Sequence, residues 1–301
     1  MVIFELNILC SWCFGTKMKY YLFQGYYLIS LDQPGHGLSS KYPAGMQYKM
    51  SDGFVFLRRV LDHLKWDKTI IMGHSMGGGL GTWYSAMFPE QIEKLIVIDL
   101  LSFGSMTVKK HVSAARKSVL ESLRIHQRLE NSSKIPTLSH DDAVARAYMA
   151  ANILPNMYLG RDAENADFIH ITQQSVETLM KRGLIEVSPG EFTWSADLRL
   201  RIPTAFNMTG DMTQEFASNV HCPHLVVKAA QGPKYMTDDA YDSLLALFRR
   251  NNPNFVYKLV EGGHHLHLNT PEPVAEIVNK FLDTKFECED PEPSGHPQFD
   301  I

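Results

Sequence analysis

Thirteen residues, Thr69-Ile-Ile-Met-Gly-His-Ser75-Met-Gly-Gly-Gly-Leu-Gly81, constrain this chain more than any other stretch. Ile70, Ile71 and Met72 read as a short buried strand, and the residues after Ser75 open a helix that runs to about Phe88. Between strand and helix stands Gly73-His-Ser-Met-Gly77, a G-x-S-x-G pentapeptide. A strand that turns into a helix around one residue strains that residue's backbone. It also brings the positions two away so close that only small side chains fit. The serine hydroxyl is then held at the carboxyl end of a sheet, where open α/β folds place their ligands. The helix start behind it offers free N–H groups to a developing oxyanion, with that of Met76 first in line. Ser75 is the candidate nucleophile.

The rest of the chain fits around this element. Residues 2–9 and Tyr26–Leu31 read as strands, the second ending in the turn Asp32-Gln-Pro-Gly-His-Gly-Leu-Ser39. From Ser51, apolar residues recur at helical spacing (Phe54, Leu57, Val60, Leu61, Leu64), and Lys94–Asp99 reads as another buried strand. Strands alternating with helices predict an α/β fold, a mostly parallel sheet with helices on both faces. After about Phe103 the pattern becomes mainly helical. Lys109–Leu129 has Val112, Ala115, Val119, Leu123 and His126 along one face. Ala143–Asn152 follows a capping-box-like Ser139-His-Asp-Asp142, and Thr172–Arg182 ends at Gly183. The sheet pattern resumes with Leu225–Ala230, a helix over 239–250, Phe255–Val260 and a closing helix over 273–281. The expected domains are a core of 1–102 and 205–283, a helical cap of 103–204 over the carboxyl ends of the strands, and a disordered tail of 284–301.

A serine hydroxyl needs an adjacent base. Of thirteen histidines, those in Gly262-Gly-His264-His265-Leu-His267 follow the last long strand directly, and the glycines let that loop return toward Ser75. His265 and His267, two residues apart, have no carboxylate or cysteine at metal-site spacing, so no metal is expected. An acid should orient the histidine. The loop after 225–230 would be its usual place, but it reads Gln231-Gly-Pro233, with Asp238 and Asp239 several residues late. Asp99, at an apolar strand end, needs a partner to offset its lost solvation and is a second candidate; a loop-capping role fits it equally. Asp211 is a weaker third.

Together, Gly73-His-Ser-Met-Gly-Gly78, Asp32-x-Pro-Gly-His-Gly-x-Ser39 and Gly263-His-His-x-His-Leu268 resemble the α/β-hydrolases. Phe192-Thr-Trp-Ser-Ala-Asp-Leu-Arg-Leu200 and His221-Cys-Pro-His-Leu-Val-Val-Lys228 narrow the resemblance to the serine hydrolase-like proteins of the kraken group. The likeness runs from about Tyr26 to Phe281. It implies Ser75 as nucleophile and His264, directly after Gly-Gly, as base. It also implies a serine hydrolase, carboxylesterase-like, that cleaves a small ester or acyl substrate without a cofactor. Such proteins carry two further strands and a His-Gly-Trp loop near the N-terminus. Here the chain begins at what would be their third strand, with Ser11-Trp12 where Gly-Trp is expected. An N-terminally shortened form is the expectation, and a weakened relative that only binds a small ligand is the alternative.

Composition bounds the rest. A formal charge of −4, from 29 basic and 33 acidic residues, gives no sign of a nucleic-acid partner or an anionic membrane. No run of about 18 apolar residues exists, so no membrane span is expected. Four cysteines, including an isolated Cys10-x-x-Cys13, suggest reduced thiols and a cytoplasmic protein.

Overall fold

The computed structural model describes residues 2–6, 25–131, 136–152 and 171–286. Strands β1 (Val2–Leu6), β2 (Tyr27–Leu31), β3 (Thr69–His74), β4 (Ile92–Ile98), β7 (His224–Ala229) and β8 (Phe255–Val260) form one sheet. Its order is β2-β1-β3-β4-β7-β8, and every pairing is parallel. A short antiparallel hairpin, β5 (Leu184–Ser188) with β6 (Glu191–Trp194), lies outside that sheet. The expected α/β architecture is present.

The centres of β3 (Ile70–Met72) and β4 (Leu95–Ile98) are apolar runs because both faces of the sheet are covered. Alternate residues go to opposite sides. Ile71, Leu95, Val97 and Val226 join one core cluster with Leu57 and Leu61 of α1 (Met50–Leu64), Tyr84 of α2 (Met76–Met87) and Phe248 of α7 (Asp238–Asn251). Ile70, Met72, Ile96, Ile98, Leu225 and Val227 join the other, against Leu266 of the short α8 (Leu266–Asn269) and Val274, Ala275 and Val278 of α9 (Pro271–Asp283). Each such side chain contributes roughly 1.5–3 kcal/mol through burial, an upper figure because unfolded chains are partly compact. Buried Lys94 of β4 donates through Nζ to the carbonyls of Leu282 at 2.5 Å and Thr284 at 3.0 Å, a cation set on the exposed C=O groups at the end of α9.

Between β4 and β7 come α3 (Val108–Asn131), α4 (His140–Asn152), α5 (Gln173–Gly183), the β5–β6 hairpin and α6 (Gly210–Ser218). Two features differ from the sequence reading. The hairpin interrupts a stretch expected to be helical; its turn is Pro189-Gly190, with Gly190 at φ 76°. In α3 the stripe of Val112, Val119 and Leu123 faces solvent, and Ser118, Ser122 and Ile125 are buried instead. Small hydroxyl residues can face inward there because Ser122 Oγ accepts from Gln47 Nε2 and contacts His126 Nδ1, so its burial leaves no unmet polar group. Among the described residues no helix is long and apolar enough to cross a membrane. Ser11, Trp12, Cys10, Cys13, Cys288 and most of the tail lie outside the described residues.

Candidate active site

Ser75 caps α2 at φ 51°, ψ −121°, a backbone conformation rare for a residue with a side chain. Two features enforce it. Ser75 N–H extends the β3–β4 ladder by donating to Ile98 C=O at 2.9 Å, and the first helical bond, from Gly79 N–H to Ser75 C=O, follows at 3.0 Å. The turn closes so tightly that a Cβ on Gly73 would lie 2.4 Å from the Gly77 carbonyl carbon. Met76 is the first residue of α2, and its N–H is one of the helix-start donors without an intrahelical acceptor.

Asp99 ends β4 in the same way. Its N–H donates to Val227 C=O at 2.8 Å, its φ is 52°, and it is fully buried. The carboxylate is divided between partners. Oδ2 lies 2.6 Å from His264 Nδ1, while Oδ1 accepts from Ala229 N–H at 2.9 Å and from Lys228 Nζ. An ionised carboxylate only accepts, so Nδ1 carries the imidazole proton and the Nε2 lone pair is left for other chemistry. Of the candidate acids, Asp99 is therefore the one brought to His264. Asp238 pairs with Lys234 at 2.5 Å on the surface, Asp239 lies in the first turn of α7, and Asp211 lies in the first turn of α6.

The 231–233 loop lacks an acid for a visible reason: its backbone packs onto Asp99. A Cβ on Gly232 would stand 2.2 Å from Asp99 Oδ2. Nothing in the local sequence shows this, because the approach is made between β4 and the β7 loop.

His264 is seated from beneath by its neighbours. His74, which precedes Ser75, donates through Nε2–H to His264 C=O at 2.7 Å, and the two rings lie 4.5 Å apart. The His267 ring packs against His74 at a tilt of 41°, with centroids 4.2 Å apart. Burial holds both neutral, the added repulsion among the imidazoles working in the same direction; His267 is pushed down to about 3 and His74 well below the usual range. The side-chain nitrogens of His74, His265 and His267 come within 4.8 Å of one another, the group best placed among the described residues to hold a metal ion. All three are neutral donors. The nearest carboxylate, Asp99, is already engaged, so a buried divalent ion would have no anionic ligand to offset its desolvation. We read the trio as packing that fixes His264.

Two residues that sequence reasoning missed complete the site. Lys228 is one. Tyr235 is the other: its backbone is left-handed at φ 53°, its hydroxyl lies against that of Ser75, and its ring is 6.1 Å from that of His264. Burial raises its pKa, with Asp99 adding to the effect and Ser75 opposing it, so the phenol stays protonated and can donate. Among the described residues, three of the four non-glycine positions with positive φ (Ser75, Asp99, Tyr235) meet here; the fourth, Lys65, caps α1. Strain collects at this point.

The 192–200 segment latches onto the loop after β2. Arg199 pairs with Asp197 at 2.7 Å and donates to the carbonyls of Tyr42 and Pro43, each at 2.6 Å. Asp197 N–H donates to Gly35 C=O at 2.8 Å. From α5, Arg182 reaches Asp32 Oδ2 at 2.5 Å, and that same oxygen accepts from Leu38 N–H at 2.9 Å.

Comparison with known proteins agrees with this fold. The family model described as "alpha/beta hydrolase fold" matches residues 8–123. A "Probable serine hydrolase" of Drosophila melanogaster is 32% identical over 259 residues, covering 85% of this chain and 72% of that protein. A "Serine hydrolase-like protein" of Danio rerio is 29% identical over 257 residues, covering 84% and 72%. Among solved structures, a hypothetical protein of Pseudomonas aeruginosa PAO1 superposes with a TM-score of 0.73 at 26% identity, over 93% of this chain and 89% of that one.

Proposed function

The chain belongs to the α/β-hydrolase family, among its serine hydrolase-like members, and from that premise we propose that it cleaves a small ester or other acyl substrate through an acyl-enzyme on Ser75. His264 Nε2 takes the hydroxyl proton as Ser75 Oγ attacks the carbonyl carbon. The N–H of Met76, at the positive end of α2, meets the oxyanion. As the tetrahedral intermediate collapses, His264 returns the proton to the leaving alcohol. Water then attacks the acyl-enzyme with the same base, releasing the carboxylic acid and restoring Ser75. Asp99 holds Nδ1–H throughout and stabilises the imidazolium. The observation that carries this reading is the 2.6 Å contact of His264 Nδ1 with the buried Asp99, next to a serine strained at a helix start.

Residues 103–204 would form a cap over Ser75, fastened to the core by the Arg182–Asp32 pair and the Arg199 clamp, and their inner surface would choose the acyl group. We place the protein in the cytoplasm because its four cysteines read as reduced thiols. The alternative of a weakened, ligand-binding relative drew on the missing acid at 231–233 and on the altered Cys10–Cys13 loop; the second lies outside the described residues, and on the first the Asp99 carboxylate on His264 favours the hydrolase.

The test is a stopped-flow assay with short p-nitrophenyl esters and matching thioesters. A burst of about one leaving group per chain, followed by slower turnover, is the signature of a covalent acyl-enzyme. A protein that binds these esters but releases no leaving group above the buffer rate would contradict it.

Gly232→Ala probes the site from a position that touches no substrate. The added methyl must displace Asp99 or the loop, so turnover is expected to fall at least a hundredfold, with a stability loss of about 1–3 kcal/mol. Urea unfolding beside steady-state kinetics checks both. Unchanged turnover would mean that Asp99 does not orient the base.

A further inference from the structure

A lysine is a costly residue to bury in a parallel sheet. Lys228 is only 3% exposed, in a strand whose other residues are all buried too. Its register explains the placement. Val227 pairs with Ile98, so the next residue on β7 lies level with Asp99 at the carboxyl edge of the sheet. The ammonium meets Asp99 Oδ1 and the Ala229 carbonyl, the latter at 3.1 Å. Asp99 thus sits between a fixed cation and an imidazole, one oxygen on each.

We propose that Lys228 is a positioning residue of this site: its ammonium holds Oδ1 so that Oδ2 stays on His264, and its charge sets the pH at which that imidazole releases its proton. Both effects follow from the shared carboxylate. Because Asp99 is fully buried, Lys228 and Ala229 N–H supply the hydrogen bonds that solvent would give a carboxylate, and they fix its orientation. When His264 takes a proton, the imidazolium forms across the carboxylate from a second cation, so Lys228 favours the neutral imidazole that a base must be. The other groups around His264 are His74 from the end of β3, His265 and His267 on its own loop, and Tyr235 from the loop after β7. Tyr241 of α7 also feels the Asp99 charge. Lys228 is the cation in hydrogen-bond contact with Asp99.

The consequence for turnover rests on the hydrolase reading; the coupling itself does not. The experiment therefore follows the His264 imidazole directly by NMR titration, its signal assigned by loss in His264→Gln. Wild type is compared with Lys228→Met, which keeps the length without the charge, and Lys228→Gln, which keeps a donor. In each folded variant the His264 midpoint is expected to rise by roughly one pH unit, as removal of a nearby like charge requires. If the hydrolase reading holds, the acid limb of kcat/KM should move with it while KM at alkaline pH changes little. An unmoved midpoint in either folded variant overturns the proposal. A moved midpoint in a protein that never reacts with esters sustains it and overturns the hydrolase reading instead.

Discussion

Alanine at position 75 is expected to lower kcat by roughly 10⁶-fold while leaving the fold intact, and alanine at 264 should do nearly the same. Groups that act as one unit fail as one unit. The Ser75→Ala/His264→Ala double variant should therefore be no slower than either single variant, because the first loss already removes what the second would remove. Ala can occupy the strained turn at φ 51° about as well as Ser, so this comparison isolates the hydroxyl. Losses that multiplied, to roughly 10¹²-fold, would show two independent contributions and argue against a shared acyl-transfer step. The assay is single-turnover release from the best ester in the screen, beside far-ultraviolet circular dichroism of each variant.

The second large effect is on stability in acid. His224 and His267 are fully buried imidazoles, each pushed down to about 3, by burial in both cases and by the neighbouring His264 as well at His267; His74 is lowered in the same direction. In the unfolded chain each titrates near 6.5. Between those values the unfolded state binds more protons than the native one, so stability is fully present above about pH 6.5 and is lost as pH falls toward 3. At pH 5 the loss is about 2 kcal/mol each for His224 and His267, roughly 4 kcal/mol together with His74 adding in the same direction, a large share of a whole domain's stability. Urea midpoints should collapse between pH 6.5 and 5. His224, between Phe248 and Phe255 with centroids at 5.0 and 5.1 Å, lies apart from the candidate active site. His224→Leu should flatten the dependence by the share of one buried imidazole and raise stability at pH 5 more than at pH 8. A pH slope unchanged in that variant would mean that His224 is not held neutral.

The parts of this molecule legible in sequence were those written in local pattern. The apolar runs Ile70–Met72 of β3 and Leu95–Ile98 of β4 announced a sheet covered on both faces, and the Gly73–Gly77 turn announced a strained serine. His264 could be singled out because glycines free the loop that carries it. Other parts depend on what meets across the sheet. Asp99 and Gly232 are far apart in sequence, and only the pairing of β4 with β7 makes one the carboxylate and the other the space for it. Lys228 looked like an ordinary strand residue until that pairing set it beside Asp99. Counting apolar residues misjudged α3, where short hydroxyl side chains let the helix approach closely and the larger Val112 and Leu123 face outward. The hairpin at 184–194 was hidden in a helical neighbourhood, though Ser188-Pro-Gly190 was there as a turn signal.

The central claim is that His264 activates Ser75. Fluorophosphonate labelling, followed by intact mass and peptide mapping, tests it without any knowledge of the substrate. One adduct per chain on Ser75, forming within minutes in the wild type and lost in His264→Ala, is the predicted result. A folded wild-type protein that stays unlabelled over hours, or that is labelled equally fast without His264, would contradict it.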